Sequence, residues 1–126
     1  MRSLIAIAAV LVAGQALAQD AGGLWETEIS DAGSYLHVTV DPCDDDAGKT
    51  CGIITEAFNT DVKDLVGKAI ITGMAPDGPG KWDDGKIWAP DDDETYSANM
   101  ALEGEVLKIE GCVLFVCRSQ DWTRVN

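Results

Sequence analysis

The chain has 126 residues, with 22 acidic against 9 basic side chains, a net charge of −13 and 46% hydrophobic residues. That length supports a single core of ordinary size rather than several domains. So acidic a surface repels phosphate backbones and anionic headgroups, which excludes nucleic acid as a partner and disfavours anionic membranes.

Residues 1–18, MRSLIAIAAVLVAGQALA, carry Arg2, an apolar run from Leu4 to Val12, and Ala16-Leu17-Ala18. These are the charged, apolar and small-x-small regions of an export signal. A buried helix would need a polar face, which the run lacks, and the run is too short to span a bilayer. The expectation is a signal peptide over 1–18, cleaved near Ala18, and a single domain over 19–126 with no membrane insertion. The protein is then periplasmic or secreted, and no cysteine follows the cleavage site to take a lipid. Losing Arg2 leaves eight basic residues against 22 acidic ones, a mature charge of about −14.

From there the chain alternates with a period of two. In SYLHVTV, Leu36, Val38 and Val40 oppose Tyr35, His37 and Thr39; in ETYSANMAL, Tyr96, Ala98, Met100 and Leu102 oppose Thr95, Ser97 and Asn99. EVLKIEG repeats the pattern with Leu107 and Ile109. Turn signals (DAG, DDDAG, PDGPG, DDG, PDDD, EG) separate the runs. The pattern predicts strands near 23–29, 34–41, 50–57, 68–74, 80–88, 94–102, 105–111 and 116–125. The one helical candidate is NTDVKDLVG, 59–67, where Asp61 would cap a single turn stopped by Gly67. Eight short strands joined mostly by tight turns predict an all-β, antiparallel up-and-down barrel; a two-sheet β-sandwich is the alternative.

A barrel must pair its first strand with its last. Gly23 and Trp25 open the first strand, and Trp122 and Arg124 end the last. Trp25, on a face with Thr27 and Ile29, is expected to plug one end of the lumen under Arg124, a stack contributing about 0.5–2 kcal/mol. Gly23 would let the strand bend beneath it.

Four cysteines in an exported chain read as two disulfides with three possible pairings. Chain entropy gives about 2.6 kcal/mol for closing Cys43 to Cys51, about 2.2 for Cys112 to Cys117 and about 4.5 for a long link such as Cys43 to Cys117. Entropy thus favours long links, whereas local rings need only neighbouring strands in register; the local pairs Cys43–Cys51 and Cys112–Cys117 are the expectation. The spacings fit no zinc pattern, and the lone His37 supplies no second kind of ligand.

GLWETE, CDDDAGKTCGII, DVKD, GKWDDGKIWAPDDDETYSANMALEGEVLKIEGC and CRSQDWTRV, in order over nearly the whole mature chain, resemble the bacterial family called domain of unknown function 2147. The matching positions are Gly23, Trp25, Cys43, Cys51, Gly52, Asp61, Trp82, Gly85, Ile87, Pro90, Thr95, Tyr96, Gln120, Trp122 and Arg124. The resemblance implies small exported proteins with a lipocalin-like barrel, and its separable first cysteine pair supports local disulfides. The chain departs from the family pattern in its longer acidic loop between Cys43 and Cys51, in Asp64 at an asparagine position with a shortened segment after it, and in Trp88 at a tyrosine position.

No catalytic motif stands out. His37 lies on the outward face of its strand, without a nucleophile signature to serve. The carboxylates of 44–46, 83–84 and 91–94 sit in turn-like clusters, where water keeps them ionised; a glycosidase needs one shielded. Oxygen-rich loops also suit calcium, but the EF-hand spacing is absent and no metal or cofactor is expected. Trp82 and Trp88, an even number apart, face one side if no bulge intervenes.

Two functions follow. The first is a non-enzymatic binding protein holding a small hydrophobic ligand among Trp82, Trp88, Tyr96 and Met100. The second is a solid barrel whose acidic surface meets a protein or the cell wall. Short strands and a compact chain favour a filled or very small lumen.

Overall fold

Each alternating run forms a strand in a computed structural model that describes residues 20–125. The expected signal peptide lies outside the described residues. The strands are β1 (Gly23–Glu26), β2 (Tyr35–Pro42), β3 (Thr50–Phe58), β4 (Ala69–Pro76), β5 (Lys81–Ala89), β6 (Glu94–Glu103), β7 (Val106–Val113) and β8 (Val116–Arg124). Each pairs antiparallel with the next, and β8 returns to β1, so the sheet closes into an eight-stranded barrel. The sandwich alternative is therefore set aside.

Apolar residues on the inward side of the strands pack the core. Val38, Val40, Ile54, Ile71, Met74, Met100 and Leu107 are buried there with Trp25 and Trp122. The seam is short: Trp25 faces Arg124 and Glu26 faces Thr123. The Val125 amide donates to the Leu24 carbonyl at 2.8 Å, and the Asp121 amide donates to Glu28 Oε2 at 3.0 Å, which lengthens the join.

β1 is shorter than its alternation predicts. The Thr27 amide donates to the Leu36 carbonyl at 2.9 Å, but the returning Leu36 amide donates to Thr27 Oγ1, also at 2.9 Å. A hydroxyl replaces the next ladder carbonyl, the strand ends, and Ile29 turns out to 60% exposure.

The segment 59–67 forms no helix. Asp64, in the middle of the expected turn, takes a positive φ of 60°, which no helix accommodates. The Val62 amide donates to Thr60 Oγ1 at 3.1 Å, a local hydroxyl turn in place of the expected helix cap by Asp61. The Gly67 amide donates to the Ile54 carbonyl at 2.7 Å, and buried Leu65 pins the segment over the barrel.

Disulfides join Cys43 to Cys51 across the β2–β3 connection and Cys112 to Cys117 across β7–β8. In the second pair the cysteines stand opposite each other in the β7–β8 register.

Candidate functional site

Up-and-down topology sorts the connections. Both chain ends and the β2–β3, β4–β5 and β6–β7 turns lie at one end of the barrel; β1–β2, β3–β4, β5–β6 and β7–β8 lie at the other. The first end is shut. Trp25 is fully buried, and its Nε1 donates to the Ala21 carbonyl at 2.8 Å. The Arg124 guanidinium carbon lies 4.4 Å from the Trp25 ring centroid. Its Nη1 donates to the Gly22 carbonyl at 2.9 Å and its Nη2 to the Asp20 carbonyl at 3.3 Å. Gly23, at φ 129°, makes room: a Cβ there would lie 3.1 Å from Arg124 Nη1.

The other end is open onto a cavity of about 680 Å³. Its apolar wall includes Leu36, Leu65, Ile70, Ile87, Tyr96 and Ile109, with Trp122 beneath and Ile29, Val62 and Pro90 at the rim. The Trp122 indole N–H is satisfied by Gln120 Oε1 at 2.8 Å, leaving the ring as an apolar floor. Charged groups on the cavity wall are Glu28, Asp31, Asp91 and Arg118. Arg118 Nη1 reaches Asp92 Oδ2 at 3.2 Å, and the Tyr96 hydroxyl donates to the same oxygen at 3.5 Å. The Tyr96 oxygen first, and Asp92 after it, hold the Arg118 guanidinium above its ordinary pKa, so it remains a paired cation. The lumen is therefore not filled throughout, contrary to the expectation from strand length.

The four residues expected to hold a ligand divide. Tyr96 lines the cavity, and Trp88 lies at its rim. Trp82 and Met100 do not reach it: they face each other across β5 and β6 and pack into the shut half of the core. The parity of Trp82 and Trp88 is broken by a register shift between Trp82 and Gly85, where Asp84 takes φ 60°. That bulge keeps Trp82, Gly85 and Ile87 inward and turns Trp88 to the outer side of the wall. There the Trp88 Nε1 donates to Asp93 Oδ1 at 2.9 Å, and Lys68 Nζ lies 5.7 Å from the ring centroid.

Sequence reasoning missed Arg118 and Gln120 as lining residues and gave Trp122 to closure alone. Their shared parity on β8 was the available signal: they descend from rim to floor in steps of two. Gly111 also belongs to the site. A Cβ there would come 2.9 Å from Ile87 Cγ2 and 3.1 Å from Tyr96 Cβ, so its absence lets both walls close on the lumen.

His37 is on the outer wall, its Nε2 3.0 Å from Glu26 Oε1 and its ring against Phe58, which stacks on Tyr35. The acidic clusters serve the local backbone: Asp46 Oδ1 accepts from the Gly48 amide at 3.0 Å in the β2–β3 turn, and Asp83 Oδ1 accepts from the Asp84 amide at 2.8 Å within the β5 bulge. Glu110 lies beside Cys112 and Cys117, but both sulfurs are spent in the disulfide, so the group offers a metal one carboxylate.

Residues 23–124 match the family described as "Uncharacterized protein conserved in bacteria (DUF2147)". Protein HP1028 from Helicobacter pylori, which belongs to the lipocalin family, has a similar structure: TM-score 0.68 and 13% identity, covering 85% of this chain and 84% of that one. At that identity the likeness shows the fold, a lipocalin-like barrel. No curated protein sequence matches the chain.

Proposed function

Starting from a chain that belongs to the DUF2147 family and folds as a lipocalin-like barrel, we propose that it is an exported, non-enzymatic binding protein for a small hydrophobic ligand. The observation that carries this reading is the one-ended cavity. Its volume of about 680 Å³ falls within the ordinary range of small-molecule sites, and Leu36, Leu65, Ile70, Ile87 and Ile109 give it an apolar wall, polar only along β8, above an aromatic floor. The cavity's charged groups sit around the opening, where they orient a ligand with a polar end rather than perform chemistry on it. Two disulfides support export, since such bonds persist in oxidising compartments.

The experiment combines native mass spectrometry of protein exported by a bacterial host, under non-reducing conditions, with titration of the apolar dye N-phenyl-1-naphthylamine. The expected result is one dye per chain at micromolar affinity, with weaker binding by Leu36→Trp, which fills part of the cavity, and by Ile87→Glu, which places a charge in its wall. Mass spectra should show a retained small molecule or, after dye loading, a single dye adduct. A folded wild-type protein that takes up neither would refute the reading.

A further inference from the structure

Among the described residues, the exposed large hydrophobic side chains are distributed unevenly. Ile53 lies on the barrel wall; the others cluster around the open end. Ile29 follows β1, Val62 and Val66 lie between β3 and β4, and Leu114 and Phe115 form the turn between β7 and β8. The last pair is the extreme case, Leu114 being 92% exposed and Phe115 101%.

Leu114 also has a backbone that disfavours it. Its φ is 54°, a left-handed conformation that two-residue hairpin turns normally give to glycine at this position. Every other non-glycine residue at positive φ among the described residues is Asn or Asp: Asn59, Asp64, Asp84 and Asp93. Those side chains tolerate the conformation through local hydrogen bonds, which leucine cannot make. An apolar side chain in water on a strained backbone gives the fold nothing in return. The Val113–Val116 pair and the Cys112–Cys117 disulfide behind it hold this turn as a rigid point. Strain retained without structural return points to a use outside the fold.

We propose that the open end docks on a zwitterionic lipid surface, with Leu114 and Phe115 entering the acyl boundary. Charge selects this occupant. The open-end connections carry seven carboxylates, Asp31, Asp61, Asp64 and Asp91 among them, against Lys63 and Lys68, in a chain of net charge −13. Those carboxylates repel an anionic surface, and two copies docked end to end would set them against each other. A socket on a protein would cover one tip, whereas a flat surface meets apolar groups from three connections around one opening. Where the cavity is a ligand site, as proposed above, docking lets an apolar ligand pass between bilayer and barrel without crossing water. That transfer rests on the ligand-binding reading; the docking rests on the tip.

The test is flotation of the full mature protein with phosphatidylcholine vesicles and with vesicles of equal phosphatidylcholine and phosphatidylglycerol at low salt. Wild type should float with the first and less with the second. Leu114→Asn suits the backbone better, so it should fold with equal or higher thermal stability while vesicle affinity falls about tenfold, the loss of one buried apolar side chain. Phe115→Trp should float and show blue-shifted emission quenched by brominated lipid. Docking is overturned if wild type floats with neither vesicle, which would leave the tip to a protein partner, or if Leu114→Asn floats like wild type. Stronger binding to the anionic vesicles, or tip-dependent dimers in light scattering without flotation, overturns it equally. Dye affinity of Leu114→Asn should equal wild type, so failure of docking and failure of ligand binding are read separately.

Discussion

Arg124→Ala removes the guanidinium that shuts one end of the barrel. Stacking over Trp25 contributes about 0.5–2 kcal/mol. The hydrogen bonds to the Gly22 and Asp20 carbonyls are charge-assisted, a class worth about 1.5–3 kcal/mol each when well shielded. Here they need discounting, because the Arg124 side chain keeps 22% of its exposure and the Asp20 contact is at the surface. The 3.5 Å approach to Glu105 adds little, that carboxylate being 67% exposed. A loss of about 3 kcal/mol follows, or a fall in Tm of roughly 12 °C for a domain of this size. Urea and thermal unfolding followed by tryptophan fluorescence measure it. Arg124→Lys keeps the charge but not the planar fork, so about half of the loss should remain. Dye affinity should not move in either variant, because the cavity lies at the opposite end. A loss below about 1 kcal/mol for Arg124→Ala, or full recovery by lysine, would refute the account of closure through a planar, two-carbonyl clamp.

Met100→Ala should cost about 2–5 kcal/mol in urea unfolding through the void it leaves, with dye affinity unchanged within about twofold; weakened dye binding would return Met100 to the cavity wall. Gly85→Ala should cost about 1–3 kcal/mol, because its Cβ would come 2.6 Å from Met74 Sδ and 2.9 Å from the Thr72 carbonyl, and the carbonyl cannot move aside; unaltered thermal unfolding would contradict that crowding. Replacing Cys112 and Cys117 together by serine should cost about 2 kcal/mol, and replacing Cys43 and Cys51 slightly more, both measured by urea midpoints at constant m value.

Much of this barrel was legible because alternation is a local property. Strand β6 shows it best: Tyr96, Ala98, Met100 and Leu102 follow from spacing alone, and the structure turns all of them inward. The meeting of the chain ends was legible for a topological reason, since a closed sheet gives Gly23, Trp25 and Arg124 nowhere else to go. The bulge in β5 was not legible, although its Asp-Asp-Gly had the composition of a turn. Nothing in one strand's sequence says whether such a signal reverses the chain or only shifts its register, and that difference decides which side of the wall Trp88 occupies. Parity cannot separate cavity from core either. Met100 and Tyr96 share a face, but one meets Trp82 across the register and the other faces the opening.

What distinguishes the two ends is the size of the inward side chains against the space that each register level leaves. Trp25, Met74, Trp82 and Met100 crowd the end that holds the chain termini, and Arg124 lies over them. Toward the other end, β7 contributes Gly111 and β8 turns inward with Gln120 and Arg118 instead of large apolar groups. Of the large residues at that level, Trp88 stays at the rim, tied to Asp93, and Phe115 projects beyond it. An apolar barrel that places its bulk at one end and withholds it at the other leaves a cavity with one opening. Stability and affinity are then written at different levels of the same strands. Substitutions around Trp25 should move Tm and leave dye binding alone, while those around Trp122 and Ile87 should move both, since the floor and walls of the cavity are also the roof of the core.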